Sequence, residues 1–199
     1  MSETVIAYHP TMGRWQPDSR GRLAKAALVL YDDQGFDKTT VAEIATQAGV
    51  TERTFFRHFP DKREALFGSN QSLEATLAAG IAAAPPGLAP IDAVAVGLEA
   101  VAAMLGERRD FARRRRRVID ANPELRERDL VKNAELSAAL AASLRDYGLE
   151  EGTATLAAEA GIGVFKVAMA RWTESDAKKP LADLIRESLA QLKAVTAGA

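Results

Sequence analysis

The chain has 199 residues, enough for one or two domains with a core that needs no covalent staples. Lys plus Arg number 26 and Asp plus Glu 27, so the net charge of −1 exerts no global pull toward nucleic acid. Cysteine is absent and the histidines are His9 and His58 alone, which excludes disulfides, thiolate metal sites, cysteine nucleophiles and a histidine-rich metal centre. No metal or cofactor is expected. The sequence has no run of 18 apolar residues, and Met1–Pro10 lacks a basic start followed by an apolar stretch. The expectation is a soluble, cytoplasmic protein with no membrane partner.

Alanine-rich stretches punctuated by spaced Pro and Gly predict helices, because Ala is the strongest helix former while Pro favours starts and Gly ends. Residues 1–17, with Pro10, Gly13 and Pro17, read as a flexible N-terminal arm. Asp18 or Ser19 caps a helix that has Leu23, Ala27 and Leu30 on one side and stops near Gly35. Thr40–Ala48 and Thr51–His58 form two short helices around Gly49-Val50. From Asp61, the spacing of Leu66, Leu73, Leu77 and Ile81 predicts one longer helix, ended by Pro85-Pro86-Gly87. Further helices run from Pro90 to Gly106, over Arg109–Ala121, from Asn122-Pro123 to Gly148, from Gly152 or Thr153 to Thr173, and from Pro180 to Ala197. Sustained alternation of apolar and polar residues is absent, so strands are not expected. The fold class is all-α, with about nine helices.

The two short helices carry the chemistry. Thr40-Val41-Ala42-Glu43 fits a capping box, and Val41, Ile44 and Ala45 form an apolar face. Gly49 tolerates positive φ, which lets the helices meet at a steep angle. Thr51 caps the second helix, and Thr54, Phe55 and Phe59 anchor it, leaving Glu52, Arg53, Phe56, Arg57 and His58 directed mostly outward. A helix exposing such groups can lie in the major groove, where Arg bonds guanine O6 and N7 and where Thr54 or His58 reaches phosphates or base edges. An αα-hairpin with merely solvated charges is the alternative. Residues 1–64 carry nine basic and nine acidic side chains, so any DNA affinity must come from a local patch helped by Arg14, Arg20 and Arg22.

The segment from Gly35 to Phe67 resembles the N-terminal domain of TetR-type transcriptional regulators. The resemblance rests on Gly35-Phe36, Thr39-Thr40, Ile44-Ala45, Ala48-Gly49-Val50-Thr51, Phe55, His58-Phe59, Lys62 and Leu66-Phe67. It implies that Thr40 and Lys62 touch phosphates while Thr51, Glu52, Arg53, Phe56, Arg57 and His58 line the groove. Phe56 stands where many members carry Tyr, which removes a hydroxyl from that contact. Glu52 could accept from cytosine N4 or act against wrong bases. The division that follows is an arm over 1–17, a three-helix helix-turn-helix domain over 18–62, and a helical ligand-binding and dimerisation bundle over 63–199.

In Gly152–Thr173, Leu156, Ala160, Gly163, Val164 and Val167 share one side, and Ile162, Phe165, Met169 and Trp172 the other. With Leu181, Ile185, Leu189 and Leu192 of the last helix, the small-residue side is the candidate two-fold interface of a homodimer, as in the family; intrachain core is the alternative. In Arg113-Arg114-Arg115-Arg116-Arg117, Arg115 falls at the centre of the apolar face set by Phe111, Val118 and Ile119. An inward Arg needs a partner: a carboxylate, helix C-terminal carbonyls, or the anionic group of a ligand. Family resemblance implies a small-molecule cavity, with Met104, Phe111, Leu140, Phe165, Met169 and Trp172 as candidate walls. The stretch Arg113–Leu130 is similar to actinobacterial TetR-type regulators, some of which sense acyl-CoA thioesters, so an apolar or amphipathic, acyl-CoA-like effector is the expectation. The sequence has no phosphate-cradling glycine loop, HExxH or GxSxG, and an enzyme is not expected. The reading is a ligand-responsive repressor that binds a palindromic double-stranded operator as a dimer. A helical protein-binding adaptor without DNA readout is the competitor, for which Thr51–His58 and Lys62 would be dispensable.

Overall fold

The computed structural model describes residues 18–68, 70–106, 108–174 and 179–197. The arm expected over 1–17, and Arg14 with it, lies outside them. All regular structure among the described residues is helical: α1 (Ser19–Gln34), α2 (Val41–Gln47), α3 (Glu52–His58), α4 (Glu64–Phe67), α5 (Asn70–Ala82), α6 (Pro90–Leu105), α7 (Arg109–Ala121), α8 (Pro123–Asp146), α9 (Glu151–Glu174) and α10 (Leu181–Thr196). Ten stand where about nine were expected, because the single helix read from Asp61 onward is two. Gly68 ends α4 and passes against Phe59; a Cβ there would lie 2.8 Å from the Phe59 ring. The apolar spacing runs across this point unbroken, so periodicity alone merges the two helices.

Two cores result. Leu23, Leu28, Ile44, Phe55, Phe59 and Phe67 build the N-terminal one, which also takes in Val118 and Ile119 of α7 and Leu125 of α8. Ala65, Leu66 and Phe67 belong to this core although they lie beyond residue 62. The body core gathers Leu77, Val94, Leu98, Leu140, Leu144, Ala158, Phe165, Trp172 and Ile185 from α5, α6, α8, α9 and α10. Glycines set its closest crossings. A Cβ on Gly80 would meet Gly97 Cα at 2.9 Å, and one on Gly161 would meet Val94 Cγ1 at 2.5 Å. Helix α9 has the length and mean hydropathy of a membrane span. Its Ala154, Ala158, Ile162, Phe165 and Ala168 nonetheless pack into the body core, as expected of the central helix of a bundle.

Candidate nucleic-acid interface and body cavity

Short-range hydrogen bonds define the ends of α2 and α3. Thr40 Oγ accepts from the Glu43 N–H at 3.2 Å, and Glu43 accepts from the Thr40 N–H at 2.8 Å, which completes the capping box. The Thr40 N–H and then its hydroxyl hold the Glu43 carboxyl below the usual range. Gly49 turns the chain at φ 67°, and Thr51 Oγ caps α3 by accepting from the Thr54 N–H. Phe55 is fully buried against Phe59, with ring centroids 5.4 Å apart. That anchor leaves Thr51, Glu52, Arg53, Phe56 and Arg57 exposed on one face, with Thr40 exposed at the start of α2. Phe56 is 55% exposed and stands edge-on to Phe55.

Five of the expected DNA contacts are engaged by partners within the chain. Lys62 Nζ donates to the carbonyls of Phe36, Asp37 and Thr39 at 2.9, 3.3 and 3.1 Å and sits 4.4 Å from the Phe36 ring centroid. An ammonium has three protons, so none is left for phosphate. His58 is half-buried with Nε2 2.8 Å from the Ser19 hydroxyl; burial, then Arg57 and Arg20, pushes its pKa down. Arg20 lies over the Phe59 ring and donates to Gln71, while Arg22 Nε donates to the Ala48 carbonyl at 3.1 Å. Thr54 is half-buried, its hydroxyl 3.1 Å from that of Thr51. These groups brace the reading face. Tyr31 adds a brace that the sequence did not flag: its hydroxyl donates to the Lys62 carbonyl at 2.6 Å, and burial pushes the phenol upward.

In the body, a cavity of about 200 Å3 opens among α5, α6, α7, α8 and α9. Met104, Phe111, Arg115, Phe165 and Met169 line it. Leu140 and Trp172 do not: both are buried in the body core, and the Trp172 carbonyl accepts from Arg109 at 2.7 Å. Sequence reasoning missed Leu73, Arg108, Asp129, Lys132, Leu136 and Lys166, also on the wall. The spacing of Asp129, Lys132, Asn133 and Leu136 on one face of α8 is the signal that could have found that side. Arg115 is satisfied internally. Its Nε donates to the Leu66 carbonyl at 2.9 Å, its other end lies 3.4 Å from Asp129, and the guanidinium covers the Phe67 ring at 4.9 Å. Burial draws its pKa down while Asp129 opposes that shift.

The expected dimer face divides. Leu181, Ile185, Leu189 and Val164 are buried within the chain itself, where α10 packs on α9 and α6, so they leave the interface set. Amphipathic spacing shows that a face is covered without showing by what. Leu156 (73% exposed), Gly163 and Val167 (49% exposed) form an open stripe on α9 with half-buried Ala160, beside half-buried Leu192 and exposed Val195 of α10.

A braced helix-turn-helix head on a helical body with an internal cavity is the build of a DNA-binding regulator. The tetR-family model of bacterial regulatory proteins matches residues 23–68, and that of the MftR C-terminal domain matches residues 88–197. The chain belongs to the TetR family of transcriptional regulators. The HTH-type transcriptional regulator TcmR of Streptomyces glaucescens is 36% identical over 92 residues, which are 46% of this chain and 39% of that protein. The alignment thus spans about two-fifths of that curated relative. The fold is shared with the TetR-family repressor FadR of Thermus thermophilus, solved with lauroyl-CoA (TM-score 0.52, 22% identity, 87% of this chain and 93% of that one). It is also shared with Bacillus subtilis FadR in complex with stearoyl-CoA (TM-score 0.56, 19% identity, 86% and 96%).

Proposed function

We propose that this chain is a cytoplasmic, homodimeric repressor that binds a palindromic operator and releases it when an apolar or amphipathic, acyl-CoA-like effector enters the body. The observation that carries the reading is the α3 face. Thr51, Glu52, Arg53, Phe56 and Arg57 are exposed together on a helix pinned by Phe55, by His58 to Ser19, and next to the Lys62 staple. A face made rigid and left open suits insertion into a major groove, with Thr40 at its edge for a phosphate. The exposed α9 stripe supports pairing by two-fold symmetry, which would set two α3 helices about one DNA turn apart, roughly 34 Å.

The cavity supports ligand response, and the FadR complexes support an acyl thioester as its occupant. Arg115 lines that cavity and also holds the Leu66 carbonyl of α4, so an occupant that displaced it would loosen the head from the body. Such an effector derepresses only if it binds the DNA-incompetent arrangement better than the competent one. An adaptor would have no use for an exposed Arg53 and Arg57 on a braced short helix. Selection of duplexes from a random DNA pool, at fixed moderate salt, tests the reading. A two-fold symmetric consensus is expected; a folded dimer that enriches nothing, with and without acyl-CoA, would overturn it.

A further inference from the structure

Six charged side chains line the body cavity: Arg108, Arg115, Arg116, Lys132, Lys166 and Asp129. Internal pairs account for most of them. Arg115 faces Asp129 at 3.4 Å, Arg116 bonds Asp120 at 2.6 Å, and Lys132 is held between Glu64 at 3.4 Å and Glu135 at 2.9 Å. Arg108 and Lys166 remain. Among the described residues neither side chain has an ion-pair or hydrogen-bond partner, and both are exposed at the rim. They come from different helices, so one helix's solvated face does not explain them.

Arg108 is also badly placed for its own helix. It occupies the N-cap of α7 and supplies no side-chain cap, so a cation stands at the positive end of the helix dipole. An anion at this rim would meet both cations and relieve that repulsion. Behind the rim the wall is apolar, formed by Leu73, Met104, Phe111, Leu136, Phe165 and Met169.

From this we infer that the cavity takes an amphipathic anion, its apolar chain among Phe111, Phe165 and Met169 and its charged head between Arg108 and Lys166. The inference rests on the effector reading above and adds to it the sign and the position of the ligand's charge. Two sources share this chemistry, a free fatty carboxylate and the phosphate-bearing head of an acyl thioester.

Calorimetric titration of the intact dimer tests it with octanoate, octanoyl-CoA and octanol, repeated with the dodecyl set. In the native protein at least one anion should bind roughly tenfold tighter than the alcohol of equal chain length. Preference for the carboxylate or for the thioester tells which source supplies the head. The double variant Arg108→Ala/Lys166→Ala should bring anion and alcohol within about threefold while alcohol affinity holds, and Lys166→Glu should invert the preference. Both side chains are exposed and, among the described residues, unpaired, so these variants should melt no lower than the native protein. An alcohol that binds native protein as well as the anions overturns the inference and leaves the cavity reading standing. Retained anion preference in the double variant overturns the rim assignment. Absence of binding by all six compounds overturns the effector reading itself.

Discussion

On α3, side chains five residues apart have opposite duties. Arg53 is exposed and has no partner among the described residues, while His58 ties the helix end to Ser19 of α1. Replacing Arg53 with Ala should weaken specific operator binding by about 1–3 kcal/mol, the range for one good base contact, and leave dimerisation intact. A salt-controlled titration that shows unchanged affinity would count against the assignment. His58 gives a pH signature instead. Its folded pKa is lowered, by burial first and then by Arg57 and Arg20, so the unfolded chain binds the proton more readily. Its contribution is therefore intact above the ordinary histidine pKa of about 6.5 and is lost as pH falls through that value toward the lowered one. Urea midpoints should drop on acidification, and His58→Gln should flatten the profile; parallel profiles in the two proteins would reject the mechanism. Local bonds were legible beforehand: Thr40 with Glu43 and Thr51 with Thr54 are three residues apart, within reach of pattern alone. The partners of Lys62 and His58 lie more than twenty residues away, and no local pattern encodes them.

At the level of elements, two glycines two residues apart on α9 separate inside from outside. Gly161 faces Val94 and Leu140, with an added Cβ at 2.5 Å from a valine methyl that β-branching keeps stiff. Among the described residues, nothing lies within 4 Å of where a Cβ on Gly163 would stand. Gly161→Ala should therefore cost about 1–3 kcal/mol through overpacking, whereas Gly163→Ala should be neutral or gain roughly 0.5–1 kcal/mol from helix propensity. Equal thermal shifts in the two variants would reject this packing. Gly163→Leu adds the complementary test, since it should abolish the dimer without unfolding the chain, and an unaltered sedimentation profile would remove that stripe from the interface. The sequence showed α9 to be apolar on two sides. It misassigned α10 because Leu181, Ile185 and Leu189 repeat with the same period whether the covering helix belongs to this chain or to a second copy.

Across the whole molecule, α7 is the joint, and four of its arginines are tied off in three directions. Arg109 and Arg113 donate to the carbonyls of Trp172, Thr173 and Glu174 at the end of α9, Arg115 to Leu66 of α4, and Arg117 to Asp32 of α1 at 2.9 Å. Glu64 of α4 pairs in turn with Arg128 of α8. The apolar contacts run the same way, because Val118, Ile119 and Leu125 complete the N-terminal core from the body side. Burying three such side chains is worth about 1.5–3 kcal/mol each. A unit of about 50 residues would have a total stability of only roughly 3–8 kcal/mol. The two quantities are similar, so the head cannot do without the body. A fragment of residues 18–68 should show no cooperative melt by circular dichroism, whereas the intact chain should melt in one transition. Cooperative unfolding of that fragment near the intact protein's midpoint would mean that α7 merely abuts the head. A head that depends on α7 for its own core cannot be indifferent to where α7 sits, and the wall of the cavity includes Phe111, Ala112 and Arg115 of that same helix.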